Sequence, residues 1–173
     1  MEFFDVLRKR RSVRAFRDAE IDDETLEKIL EAANSAPSAG DLQAYEIVVV
    51  RSDRRKKEIA EAAYSQEFIR EAPVVLVFLA NPERSSWKYG KRGSELYCIQ
   101  DATIAAAYTQ LAVTSLGLGS VWVGAFDTDK LAEILRVEGE IPVAVIPVGY
   151  PAEEPMPTPR RKLEELVHRE TLK

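Results

Sequence analysis

The sequence predicts a single domain of the α+β class. Its 173 residues are one domain's worth of chain, and 46% hydrophobic with 31% charged residues indicates a globular protein. Predicted helices and strands follow one another irregularly, with too few βαβ units for a doubly wound sheet. The fully apolar run at 74–79 has the length of a strand, and a strand buried on both faces belongs at the centre of a sheet.

In the first half of the chain, each element follows from a local pattern. Leu26, Ile29 and Ala33 recur at helical spacing, whereas residues 45–50 are mostly β-branched. Residues 36–41 contain Pro, Gly and Asp, which favour a loop. The predicted elements are, in order, one or two helical turns at 3–7, a helix capped by Asp22 or Asp23 and ending near 35, the loop at 36–41, a strand at 45–50, a helix at 53–64 and the central strand at 74–79.

The second half is dominated by an Ala-rich segment at 97–116 that is apolar almost all round. This composition predicts a buried helix, which Gly117 and Gly119 are expected to end. Before it, polar residues with two glycines at 82–95 predict a mobile loop. After it, the sequence predicts a strand at 121–126, a helix capped by Asp127 or Thr128 and running to 135, and a strand at 141–148.

Residues 151–173 differ in composition from the rest of the chain. Four closely spaced prolines predict an extended arm, followed by a basic triplet at 160–162. A short helix then carries Leu163, Leu166 and Val167 on one face. Such an arm cannot bury its apolar residues alone, so we expect it to lie on its own body or on a partner subunit.

The rarity of cysteine and histidine excludes several kinds of site. Cys98 and His168 are the only residues of their types, which excludes an intramolecular disulfide and a Cys/His zinc centre and argues against a His-activated nucleophile. No metal site and a reducing, cytoplasmic setting are expected. Early acidic residues indicate no signal peptide, and the longest apolar run is too short for a membrane span. These exclusions leave two classes of protein. One is an enzyme in which a cofactor carries out the chemistry, and the other is a binding protein.

A basic stretch at 8–17 is the first candidate site. In an extended segment Arg10, Ser12 and Arg14 point to one side, and two guanidinium groups with a hydroxyl match the oxygens of a phosphate. A solvated basic patch is the alternative from composition alone. One phosphate held from both ends of the chain would explain this stretch and the triplet at 160–162 together.

The glycine-rich stretch at 116–124 is not a dinucleotide-binding fingerprint, because its spacing differs and it joins a helix to a strand. Gly124 either admits a flat group to the backbone or marks a β-bulge. The loop at 37–43 is, by itself, an ordinary turn. Cys98, near the start of the apolar helix, indicates a small core residue.

Four segments resemble, in order, the motifs of the nitroreductase family of FMN-dependent oxidoreductases. They are Arg10-Arg11-Ser12-Val13-Arg14-Ala15-Phe16, Ala36-Pro37-Ser38-Ala39-Gly40-Asp41-Leu42-Gln43, Leu116-Gly117-Leu118-Gly119-Ser120-Val121-Trp122-Val123-Gly124 and Pro159-Arg160-Arg161-Lys162-Leu163-Glu164-Glu165. Each motif is weak alone. Together they span nearly the whole chain and are specific to the family.

The resemblance implies a nitroreductase-like fold, with a central mixed or antiparallel sheet flanked by helices, in an intertwined homodimer with FMN at the interface. The residues implied at the phosphate and ribityl end are Arg10, Arg11, Ser12 and Arg14, closed over by Arg160 and Arg161. Those implied at the flavin ring are Pro37, Ser38 and Ala39 from the other subunit, Val123, Gly124 and Ala125 at the reactive edge, and Gln66 at the ribityl chain or ring. Asp41 stands where many members carry Asn, which places a carboxylate at the substrate side of the pocket. Ala44 and Thr158 also depart from the family pattern.

The implied activity is hydride transfer from NADH or NADPH to flavin N5 and on to an electron-poor acceptor such as a nitroaromatic or a quinone, with no essential acid or base side chain. An FMN enzyme for reductive dehalogenation or for oxidation of a biosynthetic intermediate is the alternative, and residues 82–95 would decide between them. A third hypothesis is a non-catalytic protein that binds nucleic acid through its basic arm. The net charge of −5 argues against it.

Overall fold

A four-stranded antiparallel sheet forms the centre of the fold. In the computed structural model, which describes residues 1–172, the strands are β1 (Tyr45–Val50), β2 (Val74–Ala80), β3 (Gly119–Ser120) and β4 (Ile141–Gly149). Their spatial order is β1-β2-β4-β3, and each neighbouring pair is antiparallel. The predicted α+β class is confirmed, and the sheet is antiparallel rather than mixed. Lys173, the last residue of the predicted domain and arm, lies outside the described residues.

Seven α-helices surround this sheet within residues 1–172. They are α1 (Phe3–Lys9), α2 (Asp23–Asn34), α3 (Asp53–Ala62), α4 (Phe68–Glu71), α5 (Pro82–Arg92), α6 (Cys98–Ser115) and α7 (Thr128–Leu135). Four of them begin at a side-chain cap, in which Asp22, Ser52, Asn81 or Asp127 accepts a backbone N–H from the first turn. The helices predicted at 3–7, from Asp22 or Asp23, at 53–64, at 97–116 and from Asp127 or Thr128 are thus confirmed within a few residues.

The apolar run of β2 is explained by two cores, one on each face of the sheet. Val74, Leu76 and Phe78 pack in the core that also contains residues of α2 and α6. Val75, Val77 and Leu79 pack in the core that also contains residues of α3, α4 and α7. Because successive side chains point to opposite faces, only a strand covered on both sides is apolar at every position. All seven residues of β2 are buried, which confirms it as a central strand.

Two predicted elements are wrong. Residues 82–95 form α5 and the start of a π-helical turn at Gly93–Tyr97 instead of a loop, because Asn81 caps the helix and Pro82 suits its first turn. The strand predicted at 121–126 is replaced by β3 at Gly119–Ser120 and one isolated bridge at Val123. Gly119 therefore belongs to the sheet, where an added Cβ would meet Val13 at 2.9 Å, and does not end α6.

The N-terminal segment at 12–17 lies between β3 and the start of the arm. The Val13 N–H donates to the Ser120 carbonyl at 3.0 Å on one side. On the other side, the Arg17 N–H donates to the Tyr150 carbonyl and the Ala152 N–H to the Ala15 carbonyl, both at 2.9 Å. The arm thus begins on its own body. Its later residues are mostly exposed, and the helix predicted near 163–167 is a single 3-10 turn at Leu163–Glu165.

Candidate functional site

A cleft lined by arginines lies between the N-terminal segment and the arm. Its volume is about 360 Å³. Its walls carry Arg8, Arg10, Arg11, Arg14 and Arg160, together with Leu7, Ser12 and the arm residues 155–158. Among the residues that the structure describes, no carboxylate lines this cleft. Arg8 Nη2 lies 2.6 Å from Asp5 Oδ1, whereas the other four guanidinium groups have no carboxylate ion pair among the described residues. Such a surface suits a multiply charged anion.

The positive charges around Arg10 have no carboxylate to compensate them. Its side chain is partly buried at the end of α1. Burial, and next the positive charges of Arg160 and Arg11, lower the pKa of the Arg10 guanidinium from its usual value. Because an arginine keeps its proton in proteins, Arg10 stays charged and is repelled by the charges of Arg160 and Arg11. A bound phosphate would reverse that repulsion.

The other cleft arginines are held by backbone groups and rings. Arg14 donates its backbone N–H to Glu153 Oε1 at 2.5 Å, and its guanidinium lies 6.0 Å from the ring centroid of Phe68. Arg160 Nη1 donates to Thr158 Oγ1 at 2.7 Å. Arg11 Nη1 donates to the carbonyls of Arg8 and Arg10 at 2.5 and 2.9 Å. Within residues 1–172, no ion pair joins Arg10, Arg11, Arg14 or Arg160 to a carboxylate.

Arg161 does not line this cleft. Its Nε lies 3.5 Å from Glu165 Oε2, and its Nη2 donates to the Glu165 carbonyl at 2.6 Å. The 3-10 turn at Leu163–Glu165 therefore supplies a partner for the second arginine of the motif and leaves the first one free of carboxylates. The role assigned to Arg161 stays a prediction.

The loop at 37–41 borders a second, separate cavity of about 480 Å³. Pro37, Ser38 and Ala39 line it on one side, and Tyr97 with the first turns of α6 on the other. It shares no lining residue with the arginine cleft. Asp41 follows with a φ of +57° and an exposed side chain that is not among the lining residues.

Asp101, to which no role was assigned from the sequence, holds this loop. It is 2% exposed in α6, and its two carboxylate oxygens accept the N–H groups of Ala39 at 2.9 Å and Ala44 at 3.3 Å. Ser38 Oγ accepts the Gln43 N–H at 3.0 Å, so the loop is fixed from two sides. The available signal was a lone carboxylate inside an otherwise apolar helix, because such a charge must find hydrogen-bond donors.

Gln66 and Ala125 form a third group. Gln66 Nε2 donates to the carbonyls of Ala63 at 2.9 Å and Ala125 at 3.2 Å. Val123 is buried and exchanges two 3.0 Å hydrogen bonds with Val145, whereas Gly124 and Ala125 are exposed. One chain therefore brings Gln66 to the 123–125 segment. This group lies near the arginine cleft, because Arg14 lies over Phe68, two residues after Gln66, whereas the loop at 37–41 lines a cavity of its own.

Fold and cleft together define an α+β protein with a multiply basic cleft beside the edge of an antiparallel sheet. A family model described as the nitroreductase family matches residues 7–67 and 61–150. The chain belongs to the nitroreductase family. The enzyme class predicted from the sequence, an FMN-dependent NAD(P)H oxidoreductase, is thereby confirmed.

Three similar proteins illustrate this membership. The chain is 34% identical over 187 residues to the NADH dehydrogenase of Thermus thermophilus, covering 92% of this chain and 91% of the relative. It is 33% identical over 175 residues to the FMN reductase [NAD(P)H] of Bacillus subtilis, covering 93% and 70%. The solved structure of the NADPH:FMN oxidoreductase from Vibrio harveyi, complexed with NAD+, superposes with a TM-score of 0.91 at 26% identity, covering 99% and 78%.

Within residues 1–172 the structure has neither a membrane-crossing helix nor a cluster of metal ligands. No helix there combines the length and apolarity that a membrane crossing needs. No group of three or more His, Cys, Asp or Glu side chains is placed to hold a metal ion in that part of the chain.

Proposed function

We propose that the protein is a cytoplasmic homodimer that binds FMN in the arginine cleft and reduces electron-poor acceptors, such as nitroaromatics or quinones, at the expense of NADH or NADPH. The observation that carries the proposal is the cleft itself. Five arginines meet there, Arg10 is partly buried, and no described carboxylate lines the wall. Such a site suits the phosphate dianion of FMN, which accepts several charge-assisted hydrogen bonds.

Each end of the cofactor is assigned to a different group of side chains. Arg10, Ser12 and Arg14 hold the phosphate from the N-terminal segment, Arg160 closes from the arm, and Arg11 supports them. Gln66 and the 123–125 segment, in which Gly124 and Ala125 are exposed, lie at the ring end, where Gly124 leaves room for a flat group. The partner subunit contributes its own Pro37, Ser38, Ala39 and Asp41, which lie on a surface separate from the cleft within one chain. FMN supplies the hydride chemistry when bound.

The side chains of this protein then bind and orient rather than transfer protons. His168 is exposed near the end of the arm. Cys98 is buried with its Sγ 3.2 Å from the Ser94 carbonyl, and burial raises the pKa of its thiol, which keeps it neutral and unreactive. We assign neither an essential role.

The test begins with the absorbance spectrum of the purified protein and its anaerobic bleaching by NADH or NADPH. A flavin spectrum that bleaches, in a particle that sediments as a dimer at micromolar concentration, is expected. Binding of riboflavin should be much weaker than that of FMN, because riboflavin lacks the phosphate. Protein that takes up no flavin, or that binds riboflavin as tightly as FMN, would contradict the assignment of the cleft.

Single substitutions separate binding from proton transfer. Cys98→Ala and His168→Ala should each keep flavin reduction within a few fold of the unsubstituted protein. Gly124→Val should slow it far more, because the valine side chain would project from an exposed segment that already lies against Trp122, 3.2 Å from an added Cβ. A loss of several orders of magnitude in Cys98→Ala or His168→Ala, with FMN still bound, would show that a side chain does essential acid–base work.

A further inference from the structure

Helix α5 places a group of cations beside the loop at 37–41. Its residues include Arg84, Lys88, Lys91 and Arg92 but only one acid, Glu83, in a chain whose net charge is −5. We propose that Lys88 and Arg92 bind an anionic group on the aromatic electron acceptor, so that the enzyme favours acidic aromatic acceptors over neutral ones. The inference rests on the proposed function, because it assigns a substrate class to the same site.

The position of Lys88 follows from Gly40. An added Cβ at Gly40 would lie 2.6 Å from Lys88 Nζ and 2.3 Å from Tyr89 Oη, so both side chains reach the surface of the loop. Gly40 has a φ of +58°, which an L residue adopts only with strain. The loop therefore admits the ends of the Lys88 and Tyr89 side chains at a point where another residue would displace them.

Arg92 is placed by the aromatic wall of the cavity. Tyr97 lines the cavity next to Pro37 and Ser38. Arg92 Nε donates to Tyr97 Oη at 3.0 Å, and its guanidinium lies 5.4 Å from the Tyr97 ring centroid. Tyr89 and Tyr97 meet edge to face with ring centroids 5.1 Å apart. Lys88 and Arg92 thus flank one pair of rings at the edge of the cavity, which suits an aromatic ligand that carries a negative charge.

The acids in this part of the molecule leave Lys88 and Arg92 without a counter-charge. Lys91 lies 3.6 Å from Glu95, and Arg84 donates to the Leu42 carbonyl. Asp101 uses both oxygens on the loop backbone. Exposed Asp41 follows Gly40, and Glu83 lies in the first turn of α5, yet within residues 1–172 no ion pair forms to Lys88 or Arg92.

The distance from the reacting ring favours an acidic acceptor over the phosphate of a dinucleotide. A carboxylate attached to an aromatic acceptor lies directly beside the reacting ring. In the proposed dimer the loop at 37–41 contacts the flavin ring of the other subunit, and Lys88, which reaches Gly40, comes with that loop. The phosphates of NADPH lie much further from its nicotinamide. Partly exposed charges of this kind change relative affinity by about fivefold.

The experiment compares two acceptors of nearly the same shape, 4-nitrobenzoate and 4-nitrobenzamide, with FMN-loaded full-length protein. Each two-electron turnover oxidises one NADH, takes up one proton and converts the nitro group to a nitroso group with release of one water. The ratio of kcat/KM for the acid to that for the amide is compared between variants, because the two acceptors differ in intrinsic reactivity. Lys88 is exposed, so its substitution leaves the core intact.

Lys88→Gln should lower this ratio about fivefold, and Lys88→Glu should lower it further. Lys88→Arg keeps the charge, and Lys57→Gln removes a lysine from the exposed surface of α3, so both should leave the ratio within about twofold. A ratio unchanged in Lys88→Gln and Lys88→Glu would overturn the proposal. So would a KM that rises for NADPH but not for NADH while the ratio stays constant, because the cations would then serve the electron donor.

The same samples distinguish this failure from failure of the proposed function. Each variant is first checked for its flavin absorbance and for bleaching by NADH and by NADPH. If the unsubstituted protein binds FMN and bleaches but shows no effect of Lys88, only the acceptor class is wrong. If the unsubstituted protein binds no FMN, or if its flavin does not bleach, the proposed function is wrong. The acceptor class, which rests on that function, is then wrong as well.

Discussion

The arginine cleft and the loop at 37–41 are two binding surfaces of opposite construction. In the cleft, Arg10, Arg11 and Arg160 repel one another, and no described carboxylate compensates them. In the loop, the polar groups of the backbone are matched, because buried Asp101 accepts two N–H groups and Ser38 accepts a third. The cleft is electrostatically incomplete without a ligand, whereas the loop is complete in the folded chain.

Substitutions in the two regions should therefore have different effects. A change in the cleft should alter cofactor affinity and leave the free energy of unfolding of the cofactor-free protein almost unchanged. A change at Asp101 should destabilise the fold itself, with cofactor present or absent.

Asp101→Ala should lower the free energy of unfolding by about 3 kcal/mol, because it leaves the buried N–H of Ala44 and the half-buried N–H of Ala39 without an acceptor. Asp101→Asn, which keeps one acceptor oxygen, should cost roughly half as much. Urea denaturation of the cofactor-free protein measures both. Glu27→Ala, an exposed change on α2, should stay within about 0.5 kcal/mol. Equal free energies of unfolding for Asp101→Ala and Glu27→Ala would contradict the stabilising role assigned to Asp101.

Arg10→Met should weaken FMN binding roughly tenfold to a hundredfold, which is about 1.4 to 2.7 kcal/mol, while the cofactor-free protein changes by less than about 0.5 kcal/mol. Methionine keeps the apolar stem that packs at the end of α1, so the charge is the main loss. Fluorescence titration with FMN gives the first quantity and urea denaturation the second. Arg54→Met, on exposed α3, is the matched control. Unchanged FMN affinity in Arg10→Met would refute the cleft as the phosphate site.

Arg160→Ala should weaken FMN binding by about tenfold, whereas Arg161→Ala should change it by less than about twofold. The reason is that Arg160 lines the cleft and Arg161 is bound to Glu165. The pair shares residue type, exposure and position in the arm, so the comparison isolates placement. Titration of both variants at two salt concentrations measures it, since the Arg160 contribution should shrink as salt screens the charge. A larger effect of Arg161 would show that the arm is rearranged when the cofactor binds.

Gly40→Ala and Gly117→Ala differ by the smallest expected amount. Both glycines have positive φ, at +58° and +77°, and each substitution should cost about 1 kcal/mol of strain. Gly117 has open space around an added Cβ, whereas Gly40 meets the flexible ends of Lys88 and Tyr89, which adds roughly 0.5 kcal/mol. Urea denaturation compares the two. Tyr89→Phe in the Gly40→Ala background should recover the difference, and no recovery would mean that the loop does not rest on α5.

The accuracy of the sequence predictions depended on how local their causes were. Strand β2 and the caps at Asp22 and Asp127 followed from residues within one segment, and these were confirmed. The strand expected at 121–126 was misplaced, because the site of pairing with β4 is set by a distant partner. Helix α5 was missed because its solvent-exposed surface is polar and Gly90 interrupts its helical backbone at a φ of +54°.

The same rule applies to the candidate sites. The proximity of Arg10 and Arg160 was predicted, because one shared phosphate would explain two basic stretches in an otherwise acidic chain. Asp101 was missed, since its hydrogen-bond partners lie 57 and 62 positions away. No spacing pattern in the sequence predicts hydrogen bonds between residues so far apart along the chain. The cations of α5 were invisible as a group while residues 82–95 were expected to form a loop.

The crossing of the N-terminal segment and the arm also governs when the binding site can exist. Arg14 and Glu153 lie 139 positions apart, so the arm can join the N-terminal segment only after the residues between them have been synthesised. Contacts of such separation form late and slowly during folding. Strand β4 ends at Gly149, directly before the arm, so the sheet and the cofactor cleft are both completed by the last long-range contacts. FMN then binds the completed molecule and draws the folding equilibrium forward by mass action.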